Sequence, residues 1–318
     1  MFNNNIAQRI LFAPPLQGAD TLLILSGYAT PNMASWLIKG FQERNTHPVN
    51  ISLLIGMVPY DGLSVSIHEG FKELHGKVYS NSVGSFSCSY VCENLPVHAN
   101  LYIWIKSGSP MQAYTGSADF VQNAFIPSRK EIMECCDPFE AYRFYEEIEA
   151  SSIYCNHAEV EDNIILRLTH QILDAENKPI TTLAGEGIVS TKLSFLTNKG
   201  DVGARSALNW GQRKGRNRNQ AYIHLPGEIA KNDFFPLEKQ HFTVVTDDGH
   251  TLILRVEQEN NKAITTPLSN AQLGEYFRNR LGLGNGALVT KQDLLNYGRT
   301  DVTFYKIDDE QYFMDFHI

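Results

Sequence analysis

Three short stretches hold the residues around which the first half of the chain is organised: HANLYIW (98–104), YTGSADF (114–120) and SRKEIME (128–134). Alternating apolar residues after His98 predict a strand with His98 and Asn100 on one face. The second stretch predicts a strand that turns at Gly116 into a helix beginning at Ser117 or Asp119. A histidine, a small-residue turn and a later carboxylate can therefore converge on a site the size of a phosphate group.

These stretches resemble the phospholipase D superfamily, whose motif is His-x-Lys followed by Gly-Ser-x-Asn, and within it the restriction endonucleases of the BfiI and NgoFVII type. The resemblance implies that His98 attacks phosphorus without a metal ion or cofactor, that Ser117 is the motif serine and that Glu131 is the later acidic residue. Two positions depart from the motif, because Asn100 replaces the lysine and Asp119 replaces the asparagine. The predicted catalytic set is therefore His98, Asn100, Ser117, Asp119 and Glu131.

The two departures bear on activity, because the motif lysine would stabilise the negative charge that develops on a phosphate oxygen in the transition state. Each contact of this kind lowers the activation free energy by about 2.7–4 kcal/mol. Arg129, predicted to lie on the same strand face as Glu131, could substitute for the lysine.

The alternative interpretation of His98 is a buried histidine satisfied by a backbone carbonyl. A literal His-x-Lys at 75–77 has no matching turn after it, and we interpret it as a helix end followed by a strand.

Length and composition predict two domains of ordinary size in a chain of 318 residues with 43% apolar and 19% charged residues. The chain has no apolar run long enough to span a membrane, and its N-terminus lacks the pattern of a secretory signal. Its five cysteines show no zinc-finger spacing, so reduced thiols, no metal site and a cytoplasmic location are expected.

The net charge of −8 lies entirely in the first half of the chain. Residues 1–178 carry 11 Lys and Arg against 19 Asp and Glu, whereas residues 179–318 carry 16 of each. Nucleic-acid binding depends on local potential more than on the total charge, so the acidic total does not exclude it.

The first half predicts an α/β domain over residues 1–178, with its last part a linker containing a helix from Ile164 to Ile172. Apolar runs suited to buried strands alternate with segments of helical spacing, which predicts a mixed or parallel sheet with helices on both faces. The predicted strands are 21–27, 49–57 and 78–79, and the predicted helices are 31–44, 63–75 and 138–150.

The second half, residues 179–318, predicts a mostly β domain. Short alternating strands begin near Leu193, Ala221, Phe242, Thr251, Thr303 and Tyr312. Asp248-Gly249 between two of them is a strong hairpin signal. Many short strands with two short helices indicate a barrel.

A basic arm lies inside this barrel, in a stretch from 202 to 227 that contains no Asp or Glu. Arg, Asn and Gln can read base edges in a major groove, and positive charge neutralises phosphates. The alternative is a solvated basic loop. The candidate DNA-binding residues are Arg205, Asn209, Trp210, Gln212, Arg213, Lys214, Arg216 and Arg218.

The second half resembles the B-three type of DNA-binding pseudobarrel found in plant transcription factors and behind the nuclease domain of BfiI-like enzymes. The resemblance is carried by TNKGDVGARSALNWGQ (197–212), AYIHLPGEIAKNDFFP (221–236), FTVVTDDGHTLILRV (242–256) and GEYFRNRLGL (274–283). It implies two arms in the major groove, an N-arm at 205–218 and a C-arm from Asn260, Asn261 and Lys262 towards Asn270. The surplus of arginine predicts a recognition site with several G·C pairs.

Together these features predict a multidomain protein, a phospholipase D-like α/β nuclease domain followed by a B-three-type β-pseudobarrel. The expected function is that of a restriction endonuclease that binds double-stranded DNA. The chain has one histidine motif, whereas this chemistry needs a nucleophile and an acid. The resemblance therefore implies a homodimer through the nuclease domain in which two motifs face each other, and it also implies a separate ATP-dependent helicase subunit. The alternative is a DNA-binding protein with a degenerate nuclease domain. A lipid hydrolase is disfavoured, because the chain lacks a membrane-facing segment.

Overall fold

The computed structural model describes residues 1–79, 82–92, 95–126, 129–167 and 189–318. Its contacts divide the chain into unit 1, residues 1–169, and unit 2, residues 170–318. The domain boundary predicted at 178 lies outside the described residues.

Unit 1 is built on a seven-stranded mixed sheet with the order β7-β6-β5-β1-β2-β4-β8. Strands β1, β2 and β4 are parallel, whereas β5 to β8 each run antiparallel to their neighbour in this order. A separate parallel pair joins β3 to β9. The strands are β1 (Thr21–Ser26), β2 (Val49–Ile55), β3 (Leu63–Ser64), β4 (Val83–Val91), β5 (Leu101–Lys106), β6 (Ser109–Gly116), β7 (Met133–Cys136), β8 (Ser152–Tyr154) and β9 (Leu166–Arg167).

Helices cover both faces of this sheet, as the alternation of strands and helices predicts. A π-helical turn spans Gln8–Phe12, and the helices are α1 (Ala13–Leu16), α2 (Pro31–Arg44), α3 (Val58–Asp61), α4 (Val65–Leu74), α5 (Gln122–Phe125), α6 (Pro138–Glu149) and α7 (Val160–Asn163). On one face Ala141 and Tyr145 of α6 pack in a cluster with Ile103. On the other face the Trp104 indole lies edge-on to Phe41 of α2 and donates a hydrogen bond to the π-helical turn.

Two predictions about the ends of unit 1 elements are wrong. Residues 78–79 are not a strand, because the chain reaches the sheet only at Val83. The described part of the predicted helix at 164–172 contains no helix, because Leu166 and Arg167 pair with β3 instead.

The motif stretches also differ from prediction in detail. Strand β5 begins at Leu101, so His98 and Asn100 lie in the irregular segment before it. No helix begins at Ser117 or Asp119, and the first helix after this turn is α5. A loop therefore carries the turn residues.

Unit 2 contains a second seven-stranded sheet with the order β10-β15-β16-β12-β13-β14-β11. All neighbours are antiparallel except β12 and β16. The predicted hairpin at Asp248-Gly249 is confirmed between β12 and β13. The strands are β10 (Ser190–Ser194), β11 (Ile223–His224), β12 (His241–Thr246), β13 (Thr251–Glu257), β14 (Ala263–Thr265), β15 (Asp301–Lys306) and β16 (Gln311–Asp315).

The core of unit 2 shows how the sheet curves. Leu193 of β10 and Ile223 of β11, from opposite ends of the strand order, are buried in one hydrophobic cluster. The sheet is therefore nearly closed and barrel-like. The helices of this unit are α8 (Gly227–Ala230), α9 (Asn270–Arg280) and α10 (Lys291–Tyr297), with 3₁₀ turns at Ala207–Gln212 and Glu259–Asn261.

Candidate active site and DNA-binding arms

The predicted catalytic residues meet at one edge of the unit 1 sheet. Because β5 runs antiparallel to β1, and β6 antiparallel to β5, the end of β1 lies beside the start of β5 and the end of β6. The start of β7 pairs with the end of β6. The segments that carry His98, Ser117 and Glu131 are therefore brought together by strand pairing.

His98 is exposed, and its ring lies against two neighbouring residues. It is edge-on to Tyr28, with ring centroids 5.6 Å apart. It also lies close to Gly27, where an added Cβ would come within 2.5 Å of His98 Cδ2. The interpretation of His98 as a buried core histidine is therefore wrong, and the ring is open to a ligand.

Asn100 is buried and holds the strand ends that support His98. Its Oδ1 lies 2.8 Å from Ser26 Oγ and accepts a hydrogen bond from the Gly27 backbone N–H at 3.3 Å. Its Nδ2 donates to the Gly116 carbonyl at 3.4 Å. Asn100 thus joins the end of β1 to the end of β6.

Asp119 is half-buried, and its Oδ1 accepts a hydrogen bond from the Tyr28 N–H at 3.4 Å. Burial raises the pKa of this carboxyl above its ordinary value, opposed by the Tyr28 N–H, the Asn100 amide and the nearby His98 and Arg129. Relative to an ordinary aspartate, the folded protein therefore holds the Asp119 proton more tightly.

Ser117 and Glu131 form one hydrogen-bonded pair. The Ser117 hydroxyl donates to Glu131 Oε2 and accepts from the Ile132 N–H at 3.0 Å. The Glu131 side chain is only 4% exposed, and Arg129 Nε lies 3.2 Å from its Oε1. The prediction that Arg129 and Glu131 share a strand face is wrong, since both precede β7 and form an ion pair directly.

Tyr28 is a site residue that the sequence analysis missed. Its hydroxyl donates to Asp61 Oδ2 at 2.6 Å, and this bond to a carboxylate raises the pKa of Tyr28 to about 12. The sequence could have pointed to Tyr28 through its position directly after the buried strand β1, because polar residues at strand ends often line functional sites.

In unit 2 the predicted N-arm presents its cations to solvent. Arg205, Arg213, Lys214, Arg216 and Arg218 are all exposed. The Arg216 guanidinium lies 4.1 Å from the centroid of the Trp210 ring, and Arg213 Nε donates to the Arg205 carbonyl at 2.9 Å. These contacts order part of the arm before any ligand is bound.

Family models match both units. The model of the NgoFVII restriction endonuclease N-terminal PLD domain matches residues 4–162, and that of the NgoFVII C-terminal B3-like DNA-binding domain matches residues 183–308. The chain belongs to the NgoFVII restriction endonuclease family. The predicted fold class, a phospholipase D-like α/β domain followed by a B-three-type pseudobarrel, is confirmed.

Other comparisons add little to the assignment to the NgoFVII family. A search of curated proteins finds no significant match. Solved structures with partial similarity include NucT from Helicobacter pylori, at 14% identity and a TM-score of 0.32, covering 48% of this chain and 96% of that one. Another is polyphosphate kinase from Porphyromonas gingivalis, at 13% identity and a TM-score of 0.30, covering 57% of this chain and 25% of that one. Similarities of this size carry no argument about function.

Within the B3-like domain of this NgoFVII family member, two predicted DNA-binding residues have a structural role. Asn209 is completely buried, donates to the carbonyls of Gly203 and Val289, and accepts from the Val289 N–H. The Asn209 side chain is therefore held inside the domain, and its predicted contact with DNA stays a prediction. Gln212 Nε2 donates to the Gly286 carbonyl at 3.0 Å, which also ties it to the domain.

The predicted C-arm is a short turn between β13 and β14. Asn260 and Asn261 both adopt left-handed backbone conformations, with φ of 61° and 53°, which asparagine tolerates well. Asn260 and Lys262 are exposed. Strand β14 was missed, and it ends the arm at Ala263, well before Asn270.

A metal ion has one candidate position among the described residues. His68, Glu69 and Glu161 place one possible ligand atom each within 4.8 Å of one another. Lys72 Nζ already lies 2.8 Å from Glu69 and 4.0 Å from Glu161. This group lies on α4 and α7, which supply no residue to the site around His98. In the part of the chain that the structure describes, no helix has the length and apolar character to cross a membrane.

Proposed function

We propose that unit 1 hydrolyses a DNA phosphodiester with His98 as the nucleophile, at sites selected by unit 2. The observation that carries the proposal is the exposed His98 ring, positioned by Gly27 and Tyr28 beside the half-buried Asp119. A ring nitrogen would attack phosphorus, form a phosphohistidine and release one end of the strand. Water would then attack the phosphohistidine and restore His98.

Each supporting group has a proposed part in this reaction. Ser117 and Glu131 fix the loop that faces the phosphate, since the Ser117 proton is already donated to Glu131. Arg129 supplies the cation that the motif lysine would otherwise supply, because its exposed guanidinium lies at the edge of the site. Asp119 would hold its loop against the residue that follows β1, since its Oδ1 accepts a hydrogen bond from the Tyr28 N–H.

A homodimer would supply the second histidine that protonates the leaving oxygen. A shallow apolar groove of about 320 Å³ supports this proposal, because it begins directly after His98. Its lining includes Ala99, Leu101, Ala141 and Phe144, and Phe144 is 40% exposed. An apolar surface beside the site suits a second copy of unit 1. By resemblance to the family, a separate ATP-dependent helicase subunit would act together with this chain.

Plasmid cleavage in EDTA tests the chemistry and its independence of metal. We expect the wild type to cut, His98→Ala to lose cutting and both proteins to bind DNA equally, because the arms lie in unit 2. Normal cutting by His98→Ala would contradict the role of His98. Cutting that requires added Mg²⁺ would contradict metal independence.

The second candidate function is DNA binding without cutting. Asn100 favours this function, because it occupies the position of the motif lysine and its side-chain amide already makes hydrogen bonds to the backbone of Gly27 and Gly116. Tight specific binding of duplex DNA by the wild type, with no cleavage under any condition including added helicase subunit, would establish it.

We propose that Arg205, Arg213 and Arg218 contact base edges. Lys214 would contact a phosphate group. A base-reading arginine should contribute about 1–3 kcal/mol at one base pair, whereas a phosphate contact should weaken all sequences alike. Binding of a set of duplexes by the full-length His98→Ala protein distinguishes the two roles. A preferred site made only of A·T pairs would contradict the predicted G·C preference.

A further inference from the structure

A second concave site lies in unit 1 next to the catalytic loop. It is a cavity of about 460 Å³, within the size range of small-molecule sites. Its walls combine side-chain amides, aromatic edges and two guanidinium groups. The residues that matter most are Asn3, Asn4, Asn5, Trp36, Arg44 and Arg129.

The described lining of this cavity carries positive charge. It includes two arginines, Arg44 and Arg129, and no acidic residue, although residues 1–178 carry a net charge of −8. Both arginines are exposed, and Arg129 Nε also lies 3.2 Å from Glu131 Oε1. A positively charged concave surface attracts anions even on an acidic protein, because local potential governs binding.

The cavity is joined to the candidate active site through Arg129. This residue lines the cavity, lies 3.2 Å from Glu131 and acts electrostatically on Asp119. The wall residue Phe125 lies edge-on to Tyr102, whose hydroxyl donates to the Ala118 carbonyl in the same loop. The cavity and the candidate active site therefore share Arg129 and are joined through the loop that contains Ala118 and Asp119.

We propose that this cavity binds one unpaired nucleotide of the DNA strand that is cut, adjacent to the phosphodiester attacked by His98. The inference rests on the nuclease reaction proposed above. Guanidinium groups pair with phosphate oxygens, and side-chain amides can hydrogen-bond the edges of a base. The half-buried Trp36 offers an aromatic surface for an unstacked base. Enzymes that act on DNA often take up a nucleotide outside the duplex in this way.

Binding of a fluorescent pentathymidylate to the full-length protein tests the cavity directly. Any binding of the oligonucleotide by unit 2 is common to all the variants compared, because every substitution lies in unit 1. Arg44→Ala should weaken pentathymidylate binding by on the order of tenfold, since one charged hydrogen bond is lost. Arg9→Ala is the matched control, because Arg9 is also an exposed arginine stacked on a phenylalanine, with its guanidinium 4.0 Å from Phe2 against 3.7 Å for Arg44 and Phe12.

A second pair of variants covers the case in which Arg44→Ala does not fold. Asn4→Asp places a negative charge in the cavity at an exposed position and should also weaken binding, whereas Asn156→Asp, exposed elsewhere in unit 1, should not. Equal effects of the cavity and control variants, or no effect of either cavity variant, would overturn the proposal. His98→Ala should bind the oligonucleotide normally, so a failure of the catalytic proposal is seen separately in plasmid cleavage.

Discussion

Replacing Gly27 by alanine should disable cutting and leave the protein folded. The new methyl group would lie 2.5 Å from His98 Cδ2, whereas carbon atoms prefer separations of about 3.5–4.0 Å. The His98 ring must therefore move by about 1 Å. His98 is exposed and can move at little cost in stability. A displacement of this size can cost about 100-fold in rate, which corresponds to about 2.7 kcal/mol of activation free energy.

The assay is single-turnover cleavage of a plasmid, with DNA binding and thermal unfolding measured on the same samples. Gly227→Ala is the control, because an added Cβ there meets no atom within 4 Å. We expect the control to cut like the wild type and Gly27→Ala to bind DNA normally while cutting about 100-fold more slowly. Cutting at the wild-type rate by Gly27→Ala would refute the idea that Gly27 sets the position of a catalytic His98 ring.

Three further outcomes follow from the structure. Asn100→Ala should lower the free energy of unfolding of unit 1 by about 1–3 kcal/mol, because the buried Gly27 N–H loses its acceptor; unchanged urea unfolding would contradict this. Asn209→Ala should weaken duplex binding, although Asn209 is buried, because the arm loses its bonds to Val289; unchanged affinity and melting temperature would argue against it. Burial raises the pKa of Asp119, so the folded protein holds this proton more tightly, and stability should fall as pH rises from about 3.9 through the raised pKa. Asp119→Asn should lack this loss, and identical pH profiles of urea unfolding in both proteins would count against it.

The buried strands of unit 1 could be predicted from sequence, but the chain around its motif could not. The apolar runs at 21–26 and 49–55 are continuous because both faces of these strands are covered. The alternating pattern that predicts a strand extends back to His98. The pairing of β5 with β1 begins only at Leu101, so His98 lies outside the sheet. Ser117 and Asp119 do not start a helix, because their side chains bind Glu131 and the Tyr28 N–H instead of helix N–H groups.

The convergence of His98, Asn100 and Asp119 was predictable because a motif fixes residue types and spacing together. Tyr28 was missed because only the pairing of β1 with β5 places it beside His98. The burial of Asn209 was not predicted because an asparagine in a basic stretch looks the same whether it is exposed or buried. Burial depends on the packing of the whole domain, which a local pattern does not report.

The two buried asparagines that frame the N-arm have a consequence for how new specificities arise. Asn209 bonds to Val289, and Asn219 bonds to the Gly286 N–H and to Glu275, so the base of the arm is anchored from inside the barrel. The partners of these side-chain hydrogen bonds are not the exposed arginines of the arm. Substitution of an exposed arginine would therefore leave the hydrogen bonds of both asparagines in place. If the exposed arginines read bases as proposed, a change of recognition sequence would begin with them and leave both asparagines in place.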